Sequence, residues 1–426
     1  KGQAQNSIIK LKGKIQDFPF VDIKNTPDVN KGIFTVESTI TESFIEYGKG
    51  WPELNNFDFK ININNNNIKF ESIKGDLLNN KIKHMVATIF PSNIKEPIME
   101  IDLILDSPIP NIINAINKSP IKKVMKGIFD EMEGEGPGQL SVQLKIPLKD
   151  EDNISFNGTY AFQDSYLINN VLGMPKVNNI IGDLEFNQDT IKINKVKASL
   201  SGSPIIITLN NIEDVTKINI DGVINQKFIN LVLDENWGSK IIGEASWNGE
   251  VNIKDKTTDI VIKSDLKGLG LNLPSPFRKN ENELMTFSLT KNSINENQEE
   301  IEVEVGTYAF AKLIRKQEGG RKIINGLVNI NSLSTEMPEE GVKLSAEFSE
   351  VNLESINSLL SSIPGNSIIT DANINIEEFN VYGYIISNAN IKFAPTNENI
   401  SVQILSNDVS GNILWNQKEN ILKAGY

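Results

Sequence analysis

The sequence predicts a mainly β protein: antiparallel strands with one wet face, interrupted by a few short helices. Apolar and polar residues alternate at period two along most of its 426 residues. These runs recur at roughly every 10–12 residues with polar turn signals between them, which leaves room for some thirty strands. Helix-period stretches are short and punctuate the strands without alternating with them, so a parallel α/β sheet is disfavoured.

In chain order, Phe57-Asp58-Phe59-Lys60-Ile61-Asn62-Ile63 opens the alternation, and Ile63-Asn64-Asn65-Asn66-Asn67-Ile68 reads as a loop joining two strands. Ile101-Asp102-Leu103 and Leu140 to Ile146 continue it, followed by Ile218 to Ile220, Ile301 to Val305, Val342 to Phe348 and Ile374 to Ile376. Each has one apolar and one polar face, as expected of antiparallel strands wetted on one side. Asn157-Gly158, Asp221-Gly222 and Asn248-Gly249 carry the composition of tight turns.

Four helices are expected. Ser119 caps one, with Pro120 at its first position and Ile121, Val124, Met125, Ile128 and Phe129 on one face. A shorter one precedes it near Asn111 to Asn117. Asn225 caps a third with Phe228, Leu231 and Val232 inward, and Asn352 a fourth that stops at Pro364-Gly365. A weak repeat relates Ile68 to Leu77, Ile191 to Leu200 and, more loosely, Ile400 to Gly411. Their spacings, 191 − 68 = 123 and 400 − 191 = 209, are unequal and exclude a strict solenoid.

Composition excludes several function classes. Lys+Arg 42 against Asp+Glu 55 gives −13, and nucleic-acid binding needs the opposite balance. Cysteine is absent, which removes disulfides and thiolate chemistry, and His84 is the only histidine, so a metal–histidine cluster or a Ser-His-Asp triad has at most one candidate. No cofactor, metal or catalytic residue is expected. Asp130 to Gly136 lacks the spacing of a calcium loop, and Gly268-Leu269-Gly270 lacks the third glycine of a dinucleotide fingerprint. Arg315-Lys316 and Arg321-Lys322 flank Glu318-Gly319-Gly320; this reads as a charged hairpin tip, with an anion site as the other reading. The excess of Ile, Asn and Lys follows AT-rich codons and carries no functional signal. No window approaches 18 uninterrupted apolar residues, so no membrane-spanning helix is expected. The chain opens on a polar stretch without Met, as a piece of a longer protein would.

Alternation alone leaves two structures open: the closed core of a β-sandwich, and an open sheet whose apolar face is covered by something else. Several segments resemble the YhdP family of AsmA-like envelope proteins of Gram-negative bacteria. They are Ile45-Glu46-Tyr47-Gly48-Lys49-Gly50-Trp51-Pro52-Glu53-Leu54 with the hairpin ending Ile73 to Leu78; Leu172-Gly173-Met174-Pro175 through Ile181-Gly182-Asp183-Leu184-Glu185-Phe186 to Leu200-Ser201-Gly202-Ser203-Pro204; Ser264-Asp265-Leu266-Lys267-Gly268-Leu269-Gly270-Leu271-Asn272-Leu273-Pro274-Ser275-Pro276-Phe277-Arg278-Lys279; and Val409-Ser410-Gly411-Asn412-Ile413-Leu414-Trp415. They occur in the family's order and span nearly the whole chain.

The resemblance implies a long twisted antiparallel sheet curled into an elongated groove. It would be continuous through an N-terminal segment 1–135 ending in a helical hairpin, a middle segment 136–270 and a C-terminal segment 271–426. It further implies a periplasmic conduit for phospholipid between inner and outer membrane, maintaining the outer-membrane barrier. The family's N-terminal anchor, absent from this chain, would hold it in the inner membrane, and outer-membrane or envelope proteins would meet the far end. On that reading the protein is not an enzyme and has no nucleic-acid partner. The residues expected to line the groove are Phe57, Phe59, Ile61, Ile101, Leu103, Leu105, Leu140, Val142, Leu144, Ile260, Ile262, Val303, Val305, Leu344 and Ala346. The alternatives are a structural or adhesive β-protein with a closed core and, further off, a carboxylate-based hydrolase, which would need two carboxylates facing across a cleft.

Overall fold

The computed structural model of the chain describes residues 1–426 except 23, 25, 46–52, 91–96, 119–121, 123–131, 150–152, 170–173, 213, 227, 229–239, 255–256, 317–321, 356–368, 396–398, 417–420 and 426. Strands dominate. Two compact units are present, Lys1–Leu200 with Ile206–Glu213, and Ser201–Ile205 with Asp214–Tyr426.

The first unit holds β1 (Gln3–Gly13), β2 (Gly32–Ile45), β3 (Leu54–Asn64), β4 (Asn67–Leu77), β5 (Asn80–Phe90), β6 (Ile98–Asp106), helix α1 (Ile109–Asn117), β7 (Met132–Glu135), β8 (Gly138–Pro147), β9 (Ser155–Asn169), β10 (Met174–Asn187) and β11 (Ile191–Leu200). β12 (Ser203–Ile212) follows. Successive strands pair antiparallel from β1 through β6, then β8 to β11, with β7 set against β9.

The second unit holds β13 (Val215–Ile224), β14 (Ile241–Gly243), β15 (Ala245–Lys254), β16 (Thr257–Ser264), β17 (Leu269–Leu271), β18 (Phe287–Asn295), β19 (Gln298–Val305), β20 (Ala309–Lys316) and β21 (Lys322–Ile330). It continues with β22 (Gly341–Asn352), β23 (Ile369–Val381), β24 (Tyr384–Pro395), β25 (Asn399–Leu405), β26 (Ser410–Asn416) and β27 (Ile421–Gly425). β14 and β17 form a small separate sheet. The other strands of this unit pair in sequence, antiparallel except for β21–β22 and β22–β23, which are parallel. The sheet is therefore mixed, not purely antiparallel. Residues 331–340 carry the chain back for the first parallel pairing, and the Asn329 and Asn325 amides hold them by donating to the Ser334 and Pro338 carbonyls at 2.6 and 2.9 Å.

The three dipeptides expected as turns lie inside strands: Asn157-Gly158 in β9, Asp221-Gly222 in β13 and Asn248-Gly249 in β15. The reason is cross-strand packing. Gly158 pairs directly with Phe186, and a Cβ there would come within 2.5 Å of the ring. Gly222 pairs with Trp247, whose indole would lie 2.6 Å from an added Cβ. These glycines make room for aromatic rings laid across the sheet. The Asn65-Asn66 turn between β3 and β4 is found as expected. Asn65, at φ 55, accepts the Phe34 N–H and donates to the Phe20 carbonyl, tying β2 and its preceding loop to the turn. The three repeat segments fall on β4, β11 and β25, each the second strand of a hairpin.

Helix α1 lies where the short helix is expected. Its buried Ile109, Ile112 and Ile116 face inward at i, i+3, i+7. The Asn225 and Asn352 caps are formed, with side-chain oxygens accepting the N–H of Phe228 at 3.2 Å and of Ser355 at 2.7 Å. The rest of those helices, and nearly all of the one expected from Ser119, lie outside the described residues.

Candidate functional site

In a paired sheet, partner residues place their side chains on the same face, so register assigns faces directly. In the first unit, one row crosses six strands as Ile61, Phe70, Ala87, Ile101, Leu144 and Phe156. A second runs Met85, Leu103, Val142, Gly158, Phe186 and Ile191. A third runs Ile82, Leu105, Leu140, Tyr160 and Leu184. The opposite face carries Asp102, Gln143 and Asn157 in register, and Glu100 pairs with Lys145 at 3.0 Å. One face is apolar and the other wet.

Phe57 and Phe59 join the apolar face through a bulge: register slips on both sides of Asp58, yet the two rings stack at 5.1 Å and Phe59 meets Phe70 edge-on at 5.7 Å. The bulge is held by Asp58, whose carboxylate accepts the Glu42 N–H at 2.8 Å and pairs with Lys74 at 3.1 Å. The accepted N–H and the Lys74 ammonium keep the Asp58 pKa below its ordinary value, against the opposing effect of burial.

Most of the first unit's apolar face is buried: Phe57 and Leu105 are 1% exposed. α1 lies beside the β6 end, where the Tyr160 hydroxyl, raised in pKa by burial, donates to the Ser107 carbonyl at 2.7 Å. Further along the same face is a cavity of about 170 Å³, lined entirely by apolar residues that include Phe57, Phe70, Met85, Ile101, Leu103 and Leu144.

In the second unit a single row runs across twelve strands: Ile220, Gly249, Ile262, Leu289, Val303 and Ala311, then Val328, Leu344, Ala372, Phe393, Val402 and Ile413. Neighbouring rows on this face hold Ile260, Lys291, Ile301 and Leu313 in register, Val305 with Phe287 and Ala309, and Ala346 with Ile330 and Ile374. Here the face is less enclosed. Ile260, Ile262, Val303, Val305 and Leu344 are half-buried, while Ala346 is buried. On the opposite face Lys312 lies between Glu300 and Glu302, 2.9 Å from each.

The register thus brings the nine named first-unit residues onto one face of that unit, and the six named second-unit residues onto one face of theirs. Sequence reasoning missed Tyr160, Phe156, Phe186 and the ring-accommodating glycines that lie among them. A glycine opposite an aromatic is the signal that would have found them.

The motif from Ser264 to Lys279 connects β16 to β18 and covers one end of the second unit's face. Phe277 packs edge-on against Phe348 at 5.5 Å, joining a cluster with Ala346, Ile376 and Ala389. Lys279 is buried, and its ammonium donates to the carbonyls of Leu269, Leu266 and Asn280 at 2.6, 2.9 and 3.1 Å. Burial pulls its pKa below the usual lysine value. Its role here is to hold the connection in place.

Among the described residues no cluster of His, Asp and Glu could hold a metal, and no helix is long and apolar enough to cross a membrane. His84 is exposed in β5. What the geometry offers is, in each unit, an apolar face backed by polar residues. The protein-family model described as YhdP protein matches residues 1–424 of the chain. No curated protein and no solved structure matches it.

Proposed function

We propose that this chain, which belongs to the YhdP family, is the body of a periplasmic conduit that shields phospholipid acyl chains between inner and outer membrane, and that it works without enzymatic chemistry. The observation that carries this reading is the apolar row from Ile220 to Ile413, unbroken by any charged residue across twelve strands and left half-buried over much of its length. An apolar surface of that extent is normally covered by protein or by a ligand. Carrying a two-chain lipid through water exposes roughly thirty methylenes at about 0.8 kcal/mol each. A face that stays in contact with the chains along the route removes most of that barrier. No nucleophile, metal or nucleotide is needed for it.

The net charge of −13 suits a body that stands away from anionic lipid surfaces. In the family-wide picture an N-terminal segment anchors the protein in the inner membrane and the other end meets the outer membrane or its proteins. A closed, lipid-free core is the competing reading, and the deep burial of the first unit's face favours it there.

A photoreactive amino acid at Val303 or Ile101, in protein expressed in a Gram-negative host, tests both. Lipid adducts at these two positions, with none at Glu302 and Asp102 on the opposite face, are the expected result. Equal labelling of both faces, or none on either, would overturn the conduit. Adducts at Val303 alone would confine the conduit to the second unit and leave the first with a closed core.

A further inference from the structure

At one margin of the second unit's apolar face the alternation places charge where the rest of the face is apolar. Lys291 sits in register between Ile260 and Ile301, and Arg315 is directly opposite Glu299, two residues along the strand from Ile301. The Glu299 carboxylate serves both cations. It accepts from Arg315 Nε and Nη2 and lies 3.3 Å from Lys291 Nζ, which also donates to the Thr258 carbonyl.

Two cations therefore share one carboxylate, and these side chains are only 15–24% exposed. The nearby acids Glu300 and Glu302 project to the other face and are engaged by Lys312. Asp259 also lies on that other face and accepts the Ser293 N–H at 2.8 Å. The local excess is positive in a protein of net charge −13.

We propose that Lys291 and Arg315 form an anion seat at the rim of this face, which takes the phosphate of a phospholipid whose chains lie along Ile301, Val303 and Val305. The inference rests on the conduit reading and names the headgroup chemistry at that same face. Guanidinium and ammonium groups at the edge of apolar surface match a phosphate ester bonded to hydrocarbon. The dimensions agree. From Glu299 to Val305 is six residues, about 20 Å of strand at ~3.3 Å per residue, enough for an acyl chain that spans half of a ~30 Å hydrocarbon core.

The test loads the detergent-free chain from vesicles containing phosphatidylglycerol and diacylglycerol with matched acyl chains, then quantifies the bound lipids by mass spectrometry. Lys291→Gln with Arg315→Gln should lower phosphatidylglycerol loading about tenfold, the scale of one or two charge-assisted hydrogen bonds, and leave diacylglycerol loading unchanged. Glu299→Gln keeps both cations, so it should load at least as much phosphatidylglycerol as the parent.

Unchanged phosphatidylglycerol loading in the double variant overturns the seat, as does a fall in Glu299→Gln. Loss of both lipids in the double variant, with the parent loading normally, also overturns it, because the residues are then structural. Excess glycerol phosphate should displace nothing; displacement would assign the site to a small phosphate ester. If the parent loads neither lipid, it is the conduit reading that fails.

Discussion

Asp58 shows how one carboxylate shapes the apolar face around it. By accepting the Glu42 N–H and pairing with Lys74 it stabilises a bulge that turns both Phe57 and Phe59 inward. Its pKa in the folded chain lies below the ordinary 3.8, so its stabilisation is complete above that value and is lost as pH falls through the depressed one. Asp58→Asn should lower the melting temperature at pH 7, and its gap from the parent should close as pH is taken down from neutral through and below the ordinary carboxylate value. A gap that stays constant over that range would show that the charge is not what matters. The strand around Asp58 could be read from its alternation, but the bulge could not, because it depends on a partner N–H sixteen residues earlier in the chain. The Gly–aromatic pairs were hidden for a similar reason. Asn-Gly and Asp-Gly are turn formers locally, and only the opposing strand reveals that Gly158 and Gly222 leave space for Phe186 and Trp247.

Among the elements, strands and helix caps were the legible features. Period-two alternation locates β3, β8, β19 and β22, because an apolar residue at every second position has one dry face to occupy. Asn352 and Asn225 do what their side chains are suited to do at a helix start. Asn352→Ala should weaken its helix start by about 1 kcal/mol, with amide exchange at Leu353 to Ser355 about fivefold faster. Unchanged exchange would mean that the Ser355 hydroxyl bond to the Ser275 carbonyl, 2.8 Å, holds this turn without the cap. The parallel pairings of β22 with β21 and β23 were not legible. Alternation is the same for either strand direction, and for β21 with β22 the direction is set by the return through residues 331–340, whose sequence has no helix or strand period.

At the scale of the whole chain, each unit has one apolar and one polar face, and the residues named from the sequence fall together on the apolar face of their own unit. That was readable because side-chain direction follows parity along a strand. Parity could not show how enclosed each face would be. Burial depends on neighbouring elements such as α1 and the Phe277 connection, and it proved deep in the first unit and partial in the second. A sandwich and a conduit share the same alternation; they differ in what covers the apolar face.

The most direct measurement is therefore mass spectrometry of lipids extracted from the chain purified without detergent, beside a variant carrying Asp at Val303, Ala311 and Val328. The account predicts near-stoichiometric phospholipid on the parent and little on the variant, with the same circular dichroism for both. A monodisperse, lipid-free parent would contradict it and show that the apolar faces are closed by protein.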